Sequence, residues 1–154
     1  MNILKISNIL NIRRGTKTDL PAVFDLVKEL ALFEKSPASV TTDIDHYYAC
    51  YEEGVFDFLV AEDEGVIIGM ALFYITFSTW RGKMMYLEDF YVKPEFRSSG
   101  IGQRLFDEFI QTSKSAGCKQ VKWQVLDWND GAVRFYEKNG AIIEKEWWNG
   151  KIIF

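Results

Sequence analysis

The sequence predicts a mixed α/β domain, and three features carry that prediction. Strand-type apolar runs recur at 58–62, 66–77 and 83–92. Between them lie stretches whose apolar residues fall at helical spacing, such as Ile101, Leu105, Phe106, Phe109 and Ile110. Glycine-bearing turns separate the two kinds of segment. The 154 residues are 48% hydrophobic and 16% aromatic, which suits one packed domain over 1–154 and argues against disorder.

Taken in order, residues 9–13 read as a first strand. Thr18-Asp19-Leu20-Pro21 then opens a helix, with Thr18 as N-cap and proline tolerated in the first turn. Val23, Leu26, Val27, Leu30 and Ala31 give this helix a buried face, and it ends near Phe33-Glu34, before Ser36-Pro37. A second helix spans Thr42 to Glu52 and carries His46, the one histidine of the chain, on its surface. Three strands follow at Phe58–Glu62, Val66–Phe77 and Lys83–Val92; the middle one is nearly all apolar and belongs at the centre of the sheet. A helix runs from about Gly100 to Ala116-Gly117, where glycine stops it. Gln120–Leu126 is a further strand and Ala132–Lys138 a short helix. Ala141–Phe154 should close the chain as a hairpin about Asn149-Gly150, a favoured type I′ pair, with Trp147 and Trp148 packed in it. The total is about four helices and six to seven strands.

Composition removes several functional classes. The longest apolar run is too short to cross a membrane, and Met1 to Leu10 lacks the basic start and apolar core of a leader, so a cytoplasmic location is expected. A net charge of −4 disfavours nucleic acid and is compatible with a small cationic substrate. Cys50 and Cys118 lie far apart without a C-x-x-C, so neither a metal centre nor a disulfide framework is expected; both read as buried thiols.

Chemistry concentrates in Tyr86–Gln103, Y-L-E-D-F-Y-V-K-P-E-F-R-S-S-G-I-G-Q. An aromatic strand carrying Glu88 and Asp89 is stopped by Pro94, and Arg97, Gly100 and Gly102 form R-x-x-G-x-G at the start of a helix. Unpartnered N–H groups, the positive end of the helix dipole and glycines that admit a ligand to the main chain make an anion site suited to a phosphate-bearing cofactor. The dinucleotide fingerprint fails, because Leu105 stands where its third glycine belongs. The nucleotide-triphosphate loop fails as well, because Gly102 is followed by Gln103-Arg104.

R-x-x-G-x-G after V-x-P-E-F resembles the pyrophosphate loop of the GNAT superfamily of acetyl-CoA-dependent N-acyltransferases. The segment W-N-D-G-A-V-R-F-Y-E-K-N-G-A (128–141) resembles a second motif of that superfamily. V-K-E-L-A-L-F-E (27–34) and Y-I-T-F-S-T-W-R-G-K-M-M-Y-L-E-D-F-Y-V (74–92) narrow the likeness to the diamine (spermidine/spermine) acetyltransferases and their thialysine-acetylating relatives. The resemblance implies a GNAT fold with a bulged, splayed strand at the acetyl-CoA site. It implies Ser98, Ser99, Gly100, Ile101, Gly102 and Gln103 around the pyrophosphate, with Arg97 on phosphate. Phe90, Tyr91 and Val92 would lie along the pantetheine, and Asn129 and Tyr136 would contact the cofactor. Tyr136 matches the general acid. Glu88 would take the amine's proton, Asp89 and Glu34 would hold distal ammonium groups, and Phe33 and Trp80 would line the amine channel. A homodimer is also implied. Phe33 stands where the family often has tyrosine.

The physics is consistent with these roles. An amine with pKa about 10 must lose a proton before it attacks a thioester, and the departing thiolate gains from a proton donor. Carboxylates among aromatic walls suit a chain bearing several ammonium groups. Adjacent Glu88 and Asp89 point to opposite faces of a regular strand, so both reach one site only if a bulge intervenes. The reading is therefore acetyl transfer from acetyl-CoA to a primary amine of a di- or polyamine. Alternatives are a lysine-like amino acid such as thialysine, for which Arg81 or Lys83 could meet the carboxylate, a protein amine, or an acyl-CoA-binding module without turnover.

Overall fold

The long apolar run at the middle of the sequence becomes the centre of the sheet. In the computed structural model, which describes residues 10–154, strand β3 (Val66–Ser78) lies third of five. It pairs antiparallel with β2 (Asp57–Asp63) on one side and β4 (Gly82–Val92) on the other. The remaining strands are β1 (Asn11–Arg14), antiparallel to β2, and β5 (Gln120–Trp123), parallel to β4. The sheet is thus mixed, with order β1-β2-β3-β4-β5, and is surrounded in sequence by helices α1 (Leu20–Phe33), α2 (Ile44–Glu52), α3 (Ile101–Ser115) and α4 (Asp130–Lys138).

The chain divides into two units, one reaching to Trp123 and one from Gln124 to Phe154. Within the first, strand alternation sorts side chains between two layers. Phe58, Val60, Met70, Leu72 and Tyr91 pack with Leu20, Val23 and Leu26 of α1, and Tyr47, Tyr48 and Tyr51 of α2 close over that cluster. The opposite face meets α3, where Phe73 packs on Phe109 and Phe90 on Phe106, with centroids 5.5 and 5.8 Å apart. Ile101, Leu105, Phe106 and Phe109 are buried, as their spacing predicts.

Several expectations are corrected. Ile9, the first residue of the expected opening strand, lies outside the described residues, as does nearly all of the segment Met1–Leu10; β1 begins at Asn11. α1 is opened by Asp19 rather than Thr18: the N–H and Oγ1 of Thr16 donate to Asp19 Oδ2. α2 starts at Ile44, with Asp43 accepting from the His46 N–H as N-cap. Cys50 and Cys118 are half-buried rather than buried. The sheet has five strands, not six to seven, among the described residues. β5 stops at Trp123, and 141–154 form no strand. Asn149 and Gly150 both lack the positive φ that a type I′ turn demands, and Trp148 is 93% exposed. A two-stranded ribbon with nothing packed on its apolar side is marginal.

One ion-pair clamp ties β1, the α1 N-terminus and β2 together. Arg13 forks onto Asp19 at 2.8 and 2.9 Å and reaches Glu62 Oε2 at 2.8 Å through Nε. The Arg13 guanidinium holds the Asp19 carboxyl down at about 2. Asp19→Asn should cost about 2–4 kcal/mol at neutral pH, because it leaves a half-buried guanidinium short of its partner. A carboxyl held low contributes stability above its ordinary range, near 3.8, and loses it as pH falls through about 2. Chemical denaturation of both proteins along a descending pH series should therefore show the gap closing in acid.

Candidate active site

The site begins with an extra residue in β4. The β3–β4 register runs Leu72↔Asp89 and then Phe73↔Leu87, so Glu88 has no counterpart on β3. Leu87 lies opposite Phe73, and both Phe73 and Phe90 face α3. The two residues between Leu87 and Phe90 are thereby both turned to the other face. The carboxylates of Glu88 and Asp89, which regular alternation would separate, share the side covered by α1 and α2. The pairing of β4 with β5 ends at this same level: it covers Met84 to Leu87 only, and beyond it the Val92 carbonyl is taken by Arg97 Nε.

Around the carboxylates the first unit supplies aromatic walls and a third acid. Glu34 caps the C-terminus of α1, and its carboxyl is raised by burial. Asp89 is pushed up to about 7, first by burial and then by the charges of Glu88 and Glu34. Three of the expected site residues are therefore close enough to feel one another. Tyr47 of α2 senses both Asp89 and Glu88, and its hydroxyl is pushed up to about 12, chiefly by burial. Tyr74 of β3 donates to Glu88 Oε2 at 2.9 Å, and its ring stacks on Tyr86 of β4 with centroids 5.4 Å apart. Among the described residues no group of three or more His, Cys, Asp or Glu side chains is disposed to hold a metal.

Tyr47, Tyr74 and Tyr86 were not among the residues singled out in the sequence. Alternation along Y-L-E would have put Tyr86 beside Glu88. Tyr74 and Tyr47 become neighbours only through strand register and the packing of α2.

The glycine loop has the geometry its composition calls for. After a short helical turn at Pro94–Phe96, Ser98 (φ 65°) and Gly100 (φ 84°) take left-handed conformations, and α3 starts at Ile101. Ser99 is held by its hydroxyl, which donates to the Phe96 carbonyl. Gly100 has no side chain with which to cap α3, whose first-turn N–H groups open toward the loop. A Cβ on Gly100 or Gly102 would meet nothing in the chain within 4 Å. Gln103 donates to Asp107 one helical turn on. Arg97 is turned away from the loop: its Nε donates to the Val92 carbonyl at 2.8 Å. Its guanidinium sits 5.7 Å from the Phe33 ring centroid and 5.2 Å from that of Tyr91. Phe90 is paired with Ala71 across β3.

Other expected residues are dispersed. Phe33 is 42% exposed at the end of α1. Trp80 stands at the tip of the β3–β4 hairpin, beyond Gly82 and 84% exposed. Gly82 and Glu88 lie six positions apart on β4, roughly 20 Å of strand. Ser78 Oγ accepts from the N–H groups of Trp80 and Arg81 and shapes that tip. Lys83 is engaged by the Ala116 carbonyl at 2.6 Å, which leaves Arg81 as the cation of that pair not held there. In the second unit, Asn129 N-caps α4 by accepting from the Ala132 N–H at 3.3 Å. Tyr136 is buried there, with its ring edge-on to Phe135.

Comparisons with known proteins bear on the family and the fold. The profile of the acetyltransferase (GNAT) family matches residues 20–141. A thialysine N-epsilon-acetyltransferase of Bos taurus is 32% identical over 151 residues, covering 90% of this chain and 88% of the relative. A spermidine/spermine N(1)-acetyltransferase-like protein 1 of Homo sapiens is 30% identical over 140 residues, covering 85% of this chain and 20% of that longer protein. Among solved structures, an aminoglycoside acetyltransferase from an uncultured soil metagenomic sample, in complex with trehalose, superposes with a TM-score of 0.81 at 22% identity. That superposition covers 97% of this chain and 99% of that one, a likeness of fold.

A carboxyl raised in the folded state favours folding when protonated and loses that contribution as pH rises through its folded value. For Asp89 that value is about 7. Asp89→Asn keeps the shape and removes the charge. Its melting temperature relative to wild type should therefore climb from about pH 4, where the unfolded chain begins to lose the Asp89 proton, to about pH 7, and level off above. Calorimetric melts across that range give the answer, and a flat difference would mean that Asp89 is not held this way.

Proposed function

The chain belongs to the acetyltransferase (GNAT) family, and from that membership we propose that it transfers an acetyl group from acetyl-CoA to a primary amine of a small di- or polyamine, by direct attack of the amine. The observation that carries the reading is the extra residue at Glu88. It sets two carboxylates on one face at the level where β5 pairing ends, with Glu34 in electrostatic reach. A substrate with several ammonium groups answers that concentration of negative charge, and Tyr47, Tyr74 and Tyr86 offer it apolar, electron-rich walls.

Each task of the reaction has a candidate. Acetyl-CoA supplies a thioester carbonyl open to attack by an uncharged amine. Glu88 takes the proton the amine must lose, directly or through a water, with one carboxylate oxygen already engaged by Tyr74. Asp89 and Glu34 receive the distal ammonium groups. Their binding charge would return Asp89 toward an ordinary carboxylate, which couples substrate capture to release of a proton. Ser98 to Gln103 wrap the pyrophosphate. The space over Gly102 supports this, because a Cβ there would meet no atom of the described residues within 4 Å, and glycine is otherwise a poor helix residue. Phe90, Tyr91 and Val92 lie along the pantetheine, beyond the last β5 pairing at Leu87. Tyr136 protonates the departing thiolate. A cytoplasmic homodimer fits the reading and completes it.

A lysine-like amino acid is the second reading, favoured by the name and 32% identity of the Bos taurus relative. Its carboxylate needs a cation, and Arg81 is the candidate.

The experiment is thiol release from acetyl-CoA with putrescine, spermidine, spermine, thialysine, lysine, an aminoglycoside and a lysine peptide. Spermidine, spermine or putrescine should lead by kcat/KM. Thialysine in first place would install the second reading, and binding of acetyl-CoA without release by any amine would remove enzymatic function. For the assigned acid, Tyr136→Phe should cut kcat by about 10² or more while acetyl-CoA affinity, read by calorimetry, stays within about twofold. Unchanged kcat would take Tyr136 out of the reaction.

A further inference from the structure

Glu88 occupies an awkward position for a group that must accept a proton. The extra residue in β4 frees it from cross-strand pairing, so no neighbour on β3 stands directly opposite to hold its side chain. A glutamate with three free torsions would spend much of its time away from a productive geometry. Resting on the function proposed above, we propose that Tyr74 is the positioning residue for this carboxylate: its hydroxyl donates to Glu88 Oε2 and leaves Oε1 as the oxygen that accepts from the amine or from a bridging water.

Three observations carry the proposal. The hydrogen bond is 2.9 Å long and joins residues on neighbouring strands, so it spans the very irregularity that loosens Glu88. The Tyr74 ring is itself fixed: it lies opposite Tyr86 in the register and stacks on it with an interplanar angle of 24°. The hydroxyl position is therefore set by two paired strands. Finally, the proton stays on Tyr74. Burial first, then the bond to Glu88 and the charges of Glu88 and Asp89, raise the phenol well above its ordinary range. Over the pH range in which an acetyl transfer would run, Tyr74 is a constant donor and Glu88 the acceptor.

The groups facing this pair come from every packed element. Asp89 and Tyr86 share β4 with Glu88, Tyr47 approaches from α2, and Glu34 lies at the end of α1. These are acids and phenols, so a neutral donor that bonds the carboxylate orients it without adding a fixed charge that would compete with a cationic substrate.

The test pairs kinetics with a readout that does not need turnover. Tyr74→Phe keeps the ring and its stacking on Tyr86 but deletes the hydroxyl. It should lower kcat for the preferred amine about tenfold or more and leave the KM for acetyl-CoA within about twofold. In the Glu88→Gln background the same change should have little further effect, as expected of residues that act as a unit. A kcat within about twofold of wild type, or a loss that adds in full to that of Glu88→Gln, would overturn the proposal. Independently, tyrosine ring-carbon NMR of the full chain, with Tyr74 assigned from the Tyr74→Phe spectrum, follows ionisation of the phenol. Glu88→Gln, a change at an exposed position, should let Tyr74 ionise at distinctly lower pH. An unmoved Tyr74 titration would show that the pair does not exist. If Tyr74 responds while the wild-type chain acetylates no amine, the pairing stands and the proposed function is what fails.

Discussion

One unpaired residue in β4 governs the chemistry of this chain. Were the β3–β4 ladder regular, Glu88 would keep one face and Asp89 the other, and no arrangement of helices could bring both to a common ligand. Inserting Glu88 without a partner displaces every later residue of the strand by one. It keeps Leu87 and Phe90 in the α3 layer while turning two acids together toward α1 and α2. The interruption also coincides with the last β5 pairing at Leu87, so the strand gains its acidic face at the level where its parallel neighbour ends.

The electrostatics follow from that geometry. Two aspartates of the same chain sit at opposite ends of their accessible range. Asp19, gripped by Arg13, is held at about 2, whereas Asp89, buried beside Glu88 and Glu34, is driven to about 7. Arg13 is a partner that never leaves, and its clamp serves stability. The carboxylates of the β4 site have hydroxyls and aromatic faces around them but no bound guanidinium or ammonium in the described contacts. Arg97, which could have approached, is spent on Phe33, Tyr91 and the Val92 carbonyl. The protein thus keeps a destabilising concentration of negative charge at one place, the pattern expected where a cation must be bound and released.

The layered α/β plan was legible from periodicity alone, because β3 is almost wholly apolar and α3 shows an uninterrupted stripe ending in Phe109. Glu34, Glu88 and Asp89 could be named because carboxylates in an apolar strand or at a helix end are chemically conspicuous. The bulge that unites two of them is a matter of pairing, and a single strand's residues do not specify their partners. For the same reason Tyr74 and Tyr47 were invisible: their significance lies in what the fold sets opposite them. The contacts of Arg97 were equally out of sight: its place in R-x-x-G-x-G suggested phosphate, and the fold adds two aromatic faces and the Val92 carbonyl. The terminal hairpin failed because Asn-Gly is a local preference that needs two apolar strands to enforce it.

The distribution of indoles has a practical outcome for anyone following this protein by light. Of its five tryptophans, Trp80, Trp147 and Trp148 are 84%, 65% and 93% exposed, and Trp128 is 41% exposed. Trp123 packs edge-on against a core ring, that of Phe106, at 5.7 Å. Three of the five indoles are therefore already largely hydrated in the native state, and melting the core changes their surroundings little. Intrinsic fluorescence is a poor reporter of unfolding for this chain, whereas quenching by small solutes would read the hairpin tip and the carboxyl-terminal segment almost selectively.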